Sequence, residues 1–498
     1  MAWQGAARWG SQLLSFGIYT GLARLLSPKI FGLVAIAWVY VAFVQVFVRQ
    51  GFGDAIIQRR ELEPEHLDSA FWIAMATASF LCLLSYLLAG PIAHLFREPA
   101  VAPVIGWLSL FFPLGALGAI PTAILTRELD FRPLALSSLV ATGLGGAVGL
   151  TMAFYGWGVW SLVGQQLVNA TLMCVYLWLA VPWRPGWRIS KRHLRDLYGF
   201  SLSITANDIL WFFAQKSDQT LVGYGFGSAG LGPYSLASRV STLLHDGIVG
   251  PFQSVAFPAF SKLQSEPLKL ERALHKFCEF SSFVSLPVFA GTIVVAPQLV
   301  PCLFGDKWSA AVPILQVLAV YGALRVLLGF SHPLLLAKSR PGFYLVVQVV
   351  LSCLTFAGCL VAVRWTPVAI ALSLSVSMLL FTVIFLPIAG RVLEIRIWPL
   401  LKTFMFPGLS SLFMLGVLSV LRGFLGRTFA PAATVLVSVA AGVAVYVAAA
   451  LLVRPDLVKT IWEMLANSLL RSKSSHHEYA PSARGQYGAD ATAESSEP

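Results

Sequence analysis

Charge is scarce in this chain. Lys, Arg, Asp and Glu together make up 12% of its 498 residues, against 57% hydrophobic. A soluble domain carries about 25% charged residues, so a water-exposed globule is excluded. Paired cysteines are missing too. Cys82, Cys174, Cys278, Cys302, Cys353 and Cys359 are scattered, and none forms a CxxC or a Cys/His cluster. They read as small core hydrophobes, with neither a disulfide framework nor a metal site, and no cofactor is expected. The phosphate-binding pattern GxxxxGK[ST] is absent, which excludes ATP binding through a Walker loop. Long polar loops are lacking as well. Only the tail from about Ser472, rich in Ser, His, Ala and Gly, is polar at length, and it reads as disordered.

What is present is a succession of apolar runs long enough to span a bilayer. They fall near 10–27, 31–50, 69–93, 103–125, 134–155, 157–181, 199–224, 232–257, 277–304, 310–336, 342–363, 367–389, 402–421 and 429–453. The expected fold is therefore an all-α integral membrane protein of about fourteen transmembrane helices. The first run, with Arg8 before it, resembles a signal sequence. No small-x-small cleavage site follows, so it reads as an uncleaved span. The net charge of +12 belongs to topology rather than to nucleic acid. With a cytoplasmic N-terminus, the opposite side holds only Arg24, Lys29, Arg97, Lys307, Arg364, Arg422 and Arg427. Lys216, Arg239 and Arg325 fall within spans, and the rest of the 35 basic residues face the cytoplasm. That bias follows the positive-inside rule and places both termini in the cytoplasm.

The chain also repeats itself. Phe31-Gly32-Leu33-Val34-Ala35-Ile36-Ala37 is echoed by Leu231-Gly232-Pro233-Tyr234-Ser235-Leu236-Ala237. Leu95-Phe96 followed by Pro103 and Pro121 is echoed by Leu303-Phe304 followed by Pro313 and Pro333. The offsets, near 200 and 210, suggest a duplication of six spans as parallel repeats. The expected organisation is a six-helix bundle at 1–181, a cytoplasmic linker at 182–198, and a second six-helix bundle at 199–390. Two additional helices at 391–453 and a cytoplasmic tail at 454–498 complete it.

Ionisable residues concentrate between Asn207 and Asp246. A charge at the centre of a membrane helix costs roughly 2.5–3.5 kcal/mol on insertion scales. Ser201, Thr205, Asp208, Gln215 and Gln219 share one helical face, with Lys216 and Asp218 beside it. Tyr234, Ser238, Ser241 and His245 share a face of the next helix, and Arg239, Thr242 and Asp246 form the neighbouring face. Gln45 and Arg49 come from the second span, Tyr321 and Arg325 from the tenth. A hydrated path for a polar cargo accounts for the whole set. The competing reading is static pairing, Asp218 with Lys216 and Arg239 with Asp246. His245 alone reads first as a satisfied structural residue and second as a proton carrier. Gly225-Phe226-Gly227-Ser228-Ala229-Gly230 matches GxGxxG but sits between two membrane helices, so it reads as an interhelical turn rather than a dinucleotide site. Pro113, Pro121, Pro251, Pro258, Pro287, Pro313 and Pro333 are expected to kink their helices.

Several stretches resemble the polysaccharide branch of the multidrug/oligosaccharidyl-lipid/polysaccharide exporter superfamily, near the O-antigen and exopolysaccharide flippases of colanic-acid-exporter type. In the first half these are Ser27-Pro28-Lys29-Ile30-Phe31-Gly32-Leu33-Val34-Ala35, Gln50-Gly51-Phe52-Gly53, Leu125-Thr126-Arg127-Glu128-Leu129-Asp130-Phe131 and Gly156-Trp157-Gly158-Val159-Trp160-Ser161-Leu162-Val163. In the second they are Asp218, the run from Leu231 to Arg239, Phe257-Pro258-Ala259-Phe260-Ser261-Lys262-Leu263-Gln264 and Leu303-Phe304-Gly305-Asp306-Lys307-Trp308. Lys216-Ser217 departs from the Arg-Asn usual in such proteins. The resemblance implies a non-enzymatic transporter in the bacterial inner membrane. It would move polyprenyl-pyrophosphate-linked oligosaccharide repeat units by alternating access, for exopolysaccharide or lipopolysaccharide synthesis. Lys216, Arg239, Arg325 and Arg49 would meet the pyrophosphate. Gln45, Trp211, Gln215, Gln219 and Tyr234 would meet sugars. Asp208, Asp218, Asp246 or His245 would bind a coupling proton or sodium ion. Expected partners are the lipid-linked oligosaccharide, membrane lipids and the polysaccharide polymerase machinery, with no nucleic acid. Two rival functions stay open. A drug or cation antiporter of the same superfamily would favour a more acidic cavity. A membrane glycosyltransferase or polymerase would need a large outward loop and an acidic pair.

Overall fold

A 72-residue helix cannot cross a bilayer once. At 1.5 Å per residue it would far exceed a hydrocarbon core about 30 Å thick. In the computed structural model of the chain, residues Lys191–Lys262 form such a helix, here α9, and Gly227 breaks it at φ 60°, ψ −160°. A side chain rarely adopts that backbone geometry, and glycine does so without a Cβ clash. The GxGxxG stretch is thus the turn between two arms. Those arms fold back on one another, since Gln219 Nε2 donates to Ser238 Oγ at 3.1 Å across them.

The structure describes residues 2–49, 52–59, 63–187, 191–428, 431–456 and 459. Among these no strand occurs. Gln50-Gly51, residues 188–190 of the linker, most of the tail, and the side chains of Ser201 and Thr205 lie outside the described set. The first half contains α1 (Ala2–Leu25), α2 (Pro28–Arg49), the short α3 (Phe52–Gln58), α4 (Pro64–Leu95), α5 (Val101–Leu108), α6 (Phe111–Arg127), α7 (Phe131–Phe154) and α8 (Val159–Ala180). After α9 come α10 (Pro267–Phe304), α11 (Ala311–Leu328), α12 (Ser331–Ala337), α13 (Pro341–Ala362), α14 (Pro367–Leu393), α15 (Ile397–Thr428) and α16 (Pro431–Val453). Eleven spans are long and apolar enough to cross a membrane, counting α5 with α6 and α11 with α12 as one each. With α1 and the two arms of α9 the described crossings reach fourteen, as the apolar runs predict. Met1–Gly442 forms one compact unit, which holds the core and the cavities discussed below, and Val443–Pro498 a second. The described part of the second is the end of α16 and a few residues after it.

The two bent spans follow from their prolines. A proline ring removes one backbone donor and clashes with the carbonyl four residues back. Pro113 lies four residues after Ser109, where α5 gives way to α6. Pro333 lies four residues after Gly329, where α11 gives way to α12. A proline thus stands just after the bend in each half, although Pro113 is not among the prolines matched by the repeat, which sets Pro121 against Pro333.

At the centre, α2 packs along α9. A Cβ on Gly32 would lie 1.8 Å from the carbonyl oxygen of Ser228, and a Cβ on Gly232 would lie 2.0 Å from that of Pro28. Each glycine of the sequence repeat therefore touches the residue four before its counterpart. The contact is reciprocal, like a two-fold interface between identical subunits.

The same end of the bundle carries further reciprocal contacts. Helix termini leave backbone groups without intrahelical partners, and here each half supplies partners for the other. Glu98, just after α4, accepts from Ser228 N at 2.9 Å and from Ser228 Oγ at 2.5 Å, at the start of the second arm of α9. Trp308 Nε1 donates to Ala23 O at 2.9 Å, and Lys307 Nζ to Arg24 O at 2.6 Å, at the end of α1. Arg24 in turn donates through Nε to Leu303 O at 2.8 Å and also to Cys302 O, at the end of α10. Carboxylate at a helix start and cations at helix ends also match the helix dipoles. Trp308 is fully buried, edge-on to Phe31 with ring centroids 5.2 Å apart.

Candidate functional site

Halfway along the bundle the packing loosens around polar groups. A cavity of about 260 Å³ opens between the two arms of α9, α11 and α14. Its walls include Trp211, Gln215, Lys216, Asp218, Gln219, His245, Asp246 and Arg325, all singled out from sequence. Ser238, Ser241 and Thr242 join them from the second arm, and Tyr321 from α11. The helical offsets therefore did bring two polar faces to one space. Trp211 is 58% exposed, a free aromatic face at the rim.

Within the chamber the anionic and cationic groups are treated differently. Asp218 Oδ2 accepts from Tyr234 OH at 2.8 Å. His245 Nδ1 lies 3.3 Å from Asp246 Oδ1. Lys216 Nζ donates to the neutral amide of Gln219 at 3.1 Å, and the Arg325 guanidinium lies 5.7 Å from the centre of the Tyr321 ring. Among the described residues none of Lys216, Arg239 and Arg325 has a salt bridge within 4 Å. The static pairs Asp218–Lys216 and Arg239–Asp246 are not formed. Asp218 and Asp246 stand in the same walls, yet among the described residues no ion pair closes on Lys216, Arg239 or Arg325, and cations left open inside a membrane bundle are expensive.

Arg239 faces a second, adjoining cavity. This one measures about 490 Å³ and lies between α1, α7 and the second arm of α9. Asp246 borders both. Arg239 Nη2 reaches Ser15 Oγ at 3.4 Å, and Ser11 Oγ and Ser138 Oγ meet at 3.3 Å across α1 and α7. Ser11, Gln12, Ser15, Ser138 and Thr142 were not found from sequence. Isolated hydroxyls are common in membrane helices, and only the approach of α7 to α1 makes these five neighbours.

Other expected residues stand elsewhere. Tyr234, expected to face sugar, is fully buried and spends its hydroxyl on Asp218. Periodicity placed it on the right face but could not show that it lies above the chamber, where the arms close. Gln45 and Arg49 line neither cavity, because α2 turns Val39 and Val46 toward Phe212 of α9. Arg49 is exposed in the last turn of α2, a favourable place for a cation. Asp208 is half-buried on the first arm of α9 and also lines neither cavity.

Residues 22–313 match the family model described as polysaccharide biosynthesis protein. The succinoglycan biosynthesis transport protein ExoT of Rhizobium meliloti is 28% identical over 64% of this chain and 65% of its own length. The lipopolysaccharide biosynthesis protein WzxC of Escherichia coli is 28% identical over 64% of this chain and 66% of its own. The chain thus matches just under two thirds of the length of these relatives. Among solved structures, a lipid II flippase MurJ in an inward closed conformation superposes with TM-score 0.74, at 15% identity, over 92% of this chain and all of that one. An inward-facing multidrug resistance MATE transporter superposes with TM-score 0.61, at 16% identity, over 79% of this chain and 96% of that one. At such identities these likenesses concern the fold.

Proposed function

The chain belongs to the polysaccharide biosynthesis protein family, and on that premise we propose that it is a flippase for polyprenyl-pyrophosphate-linked oligosaccharides. The observation that carries this reading is the set of three cations, Lys216, Arg239 and Arg325, that close no ion pair among the described residues, beside two polar cavities sharing Asp246 as a wall. A pyrophosphate accepts hydrogen bonds and carries charge, so it offers these cations the anionic partner they do not contact within the chain. The sugars fit the hydroxyl and amide groups around it, and the polyprenyl tail stays in the bilayer. Relatives named for transport, or for lipopolysaccharide biosynthesis, agree with this substrate class.

The charge bias of the loops supports a cytoplasmic N-terminal end of α1, and the bacterial relatives support the inner membrane as its site. The braced end, where α1 meets α2, then faces outward and is shut. In this state the cavities load from the cytoplasm. Transport requires that the braces part, and the bundles 1–181 and 199–390 are the bodies that would move. A coupling ion, where one is used, would act at the Asp246–His245 pair, which borders both cavities, rather than at Asp218, which Tyr234 already holds.

Lys216→Ala and Arg239→Ala are each expected to abolish polysaccharide export while the protein still inserts. Lipid-linked repeat units would accumulate on the cytoplasmic leaflet of cells carrying either variant. Normal polysaccharide output from both variants would sink the cationic-path reading.

A further inference from the structure

We propose that the recess between α1, α7 and the second arm of α9 is a glycan subsite, which holds the sugars while the chamber of Lys216 and Arg325 holds the pyrophosphate. The inference rests on the flippase reading and assigns each part of the substrate a place.

The recess has the volume of a small-molecule site, about 490 Å³, within the usual range of roughly 300–1,000 Å³. Its uncharged polar residues come at helical spacing from two helices, Ser11 and Ser15 with Gln12 on α1, and Ser138 and Thr142 on α7, and Arg239 and Asp246 of α9 complete the lining. Many hydroxyls elsewhere in the apolar helices behave differently, although Thr20, Ser161 and Ser285 are buried without a partner among the described residues. Thr122, Thr151, Thr292 and Thr382 each donate to the carbonyl four residues back, at 2.7–2.8 Å. That is the ordinary way for a membrane helix to hide a hydroxyl. In the recess, Ser11 meets Ser138 side chain to side chain, and Ser15 meets Arg239. The side chains of Gln12 and Thr142 have no hydrogen-bond partner among the described residues. Polar groups turned to a cavity instead of to their own backbone are costly until something hydrogen-bonds them.

The chemistry of the two cavities sorts the substrate. A pyrophosphate only accepts hydrogen bonds, and Lys and Arg only donate. A sugar hydroxyl does both, as do Ser, Thr and Gln. Two of the three cations, Lys216 and Arg325, stand in the chamber, while the recess sets five two-way groups, Ser11, Gln12, Ser15, Ser138 and Thr142, beside Arg239 alone, which at its edge can reach a phosphate oxygen. Asp246 borders both, so the two spaces adjoin, and a sugar joined directly to the pyrophosphate would lie next to the recess.

The test uses the full chain in lipid nanodiscs and two probes. One is sugar-free polyprenyl pyrophosphate; the other is the same lipid bearing a neutral tetrasaccharide. Combining Ser138→Val and Thr142→Val should weaken binding of the glycosylated lipid about tenfold, the loss of one to two net hydrogen bonds. Binding of the sugar-free lipid should stay unchanged, which also reports that the variant is folded. Gln12→Leu, on the other helix, carries the same expectation and serves if the double variant fails to insert. Lys216→Ala should weaken both probes alike. The subsite is overturned if the recess variants weaken both probes equally, or neither. Wild-type protein that binds neither probe would instead overturn the flippase reading, and the subsite with it.

Discussion

Two regions of this molecule treat polar groups in opposite ways. Where α1 meets α2, the charged and polar side chains have partners on the other half. Glu98 caps Ser228, Lys307 and Trp308 cap the end of α1, and Arg24 caps the end of α10. At mid-depth, Lys216, Arg239 and Arg325 have no ionic partner among the described residues, and hydroxyls face open space. The first arrangement stores stability, and the second leaves hydrogen-bonding capacity unspent. The difference teaches where to look for binding in a membrane bundle. A satisfied charge holds helices together, while an unsatisfied one awaits a ligand. The comparison predicts that changes at the braced end cost stability and spare binding, and that changes in the cavities do the reverse.

The largest effect is expected at the helix crossing. Gly32→Leu places side-chain atoms where the Ser228 carbonyl already sits, and should cost about 4 kcal/mol or more. Loss of the folded protein from detergent extracts, read by size-exclusion chromatography, checks this; a monodisperse variant with wild-type melting would break the account of the crossing. Tyr234→Phe comes next. It strips the hydroxyl from Asp218 and should destabilise by about 1–3 kcal/mol. Unchanged thermal unfolding would move Asp218 out of the satisfied class and into the path.

Glu98→Gln is expected to be milder, about 1 kcal/mol, since a neutral acceptor replaces a charged one. Its sharper readout is Cys302, whose carbonyl belongs to the brace. That thiol should react faster with a membrane-impermeant maleimide added from outside the cell. No change in rate would mean that the braces do not control the outward opening. The smallest effect on stability is expected for Arg325→Ala, within about 1 kcal/mol, because only its contact with the Tyr321 ring is lost and no ion pair. Binding of polyprenyl pyrophosphate should nevertheless weaken about tenfold or more, the worth of a hydrogen bond to a charged group. A large drop in melting temperature with binding intact would reverse the comparison at its key residue.

Much of this was legible in the order of residues. The apolar runs marked the spans. Periodicity put Gln215, Gln219, Ser238, Ser241 and His245 on faces that meet in one chamber. The repeat of Gly32 and Gly232 marked the crossing before its geometry was visible. Other parts were not legible, for definite reasons. Arg24 and Lys307 read only as two of the few basic residues on the sparse side. Their role depends on helix ends nearly 280 residues away in sequence. Tyr234 and Ser238 share a face four residues apart, yet one is sealed and the other lines the cavity. The recess of Ser11 and Ser138 left no mark in either helix alone.

The sequence by itself determined that the chain lives in a membrane, how many times it crosses, and which helices carry charge they should not. Hydrophobic length, loop charge and helical period are local properties, and each is written in consecutive residues. Only the tertiary structure decided which charges are spent and which remain available. That depends on what stands across from each side chain, and here the answer comes from residues far away in the sequence.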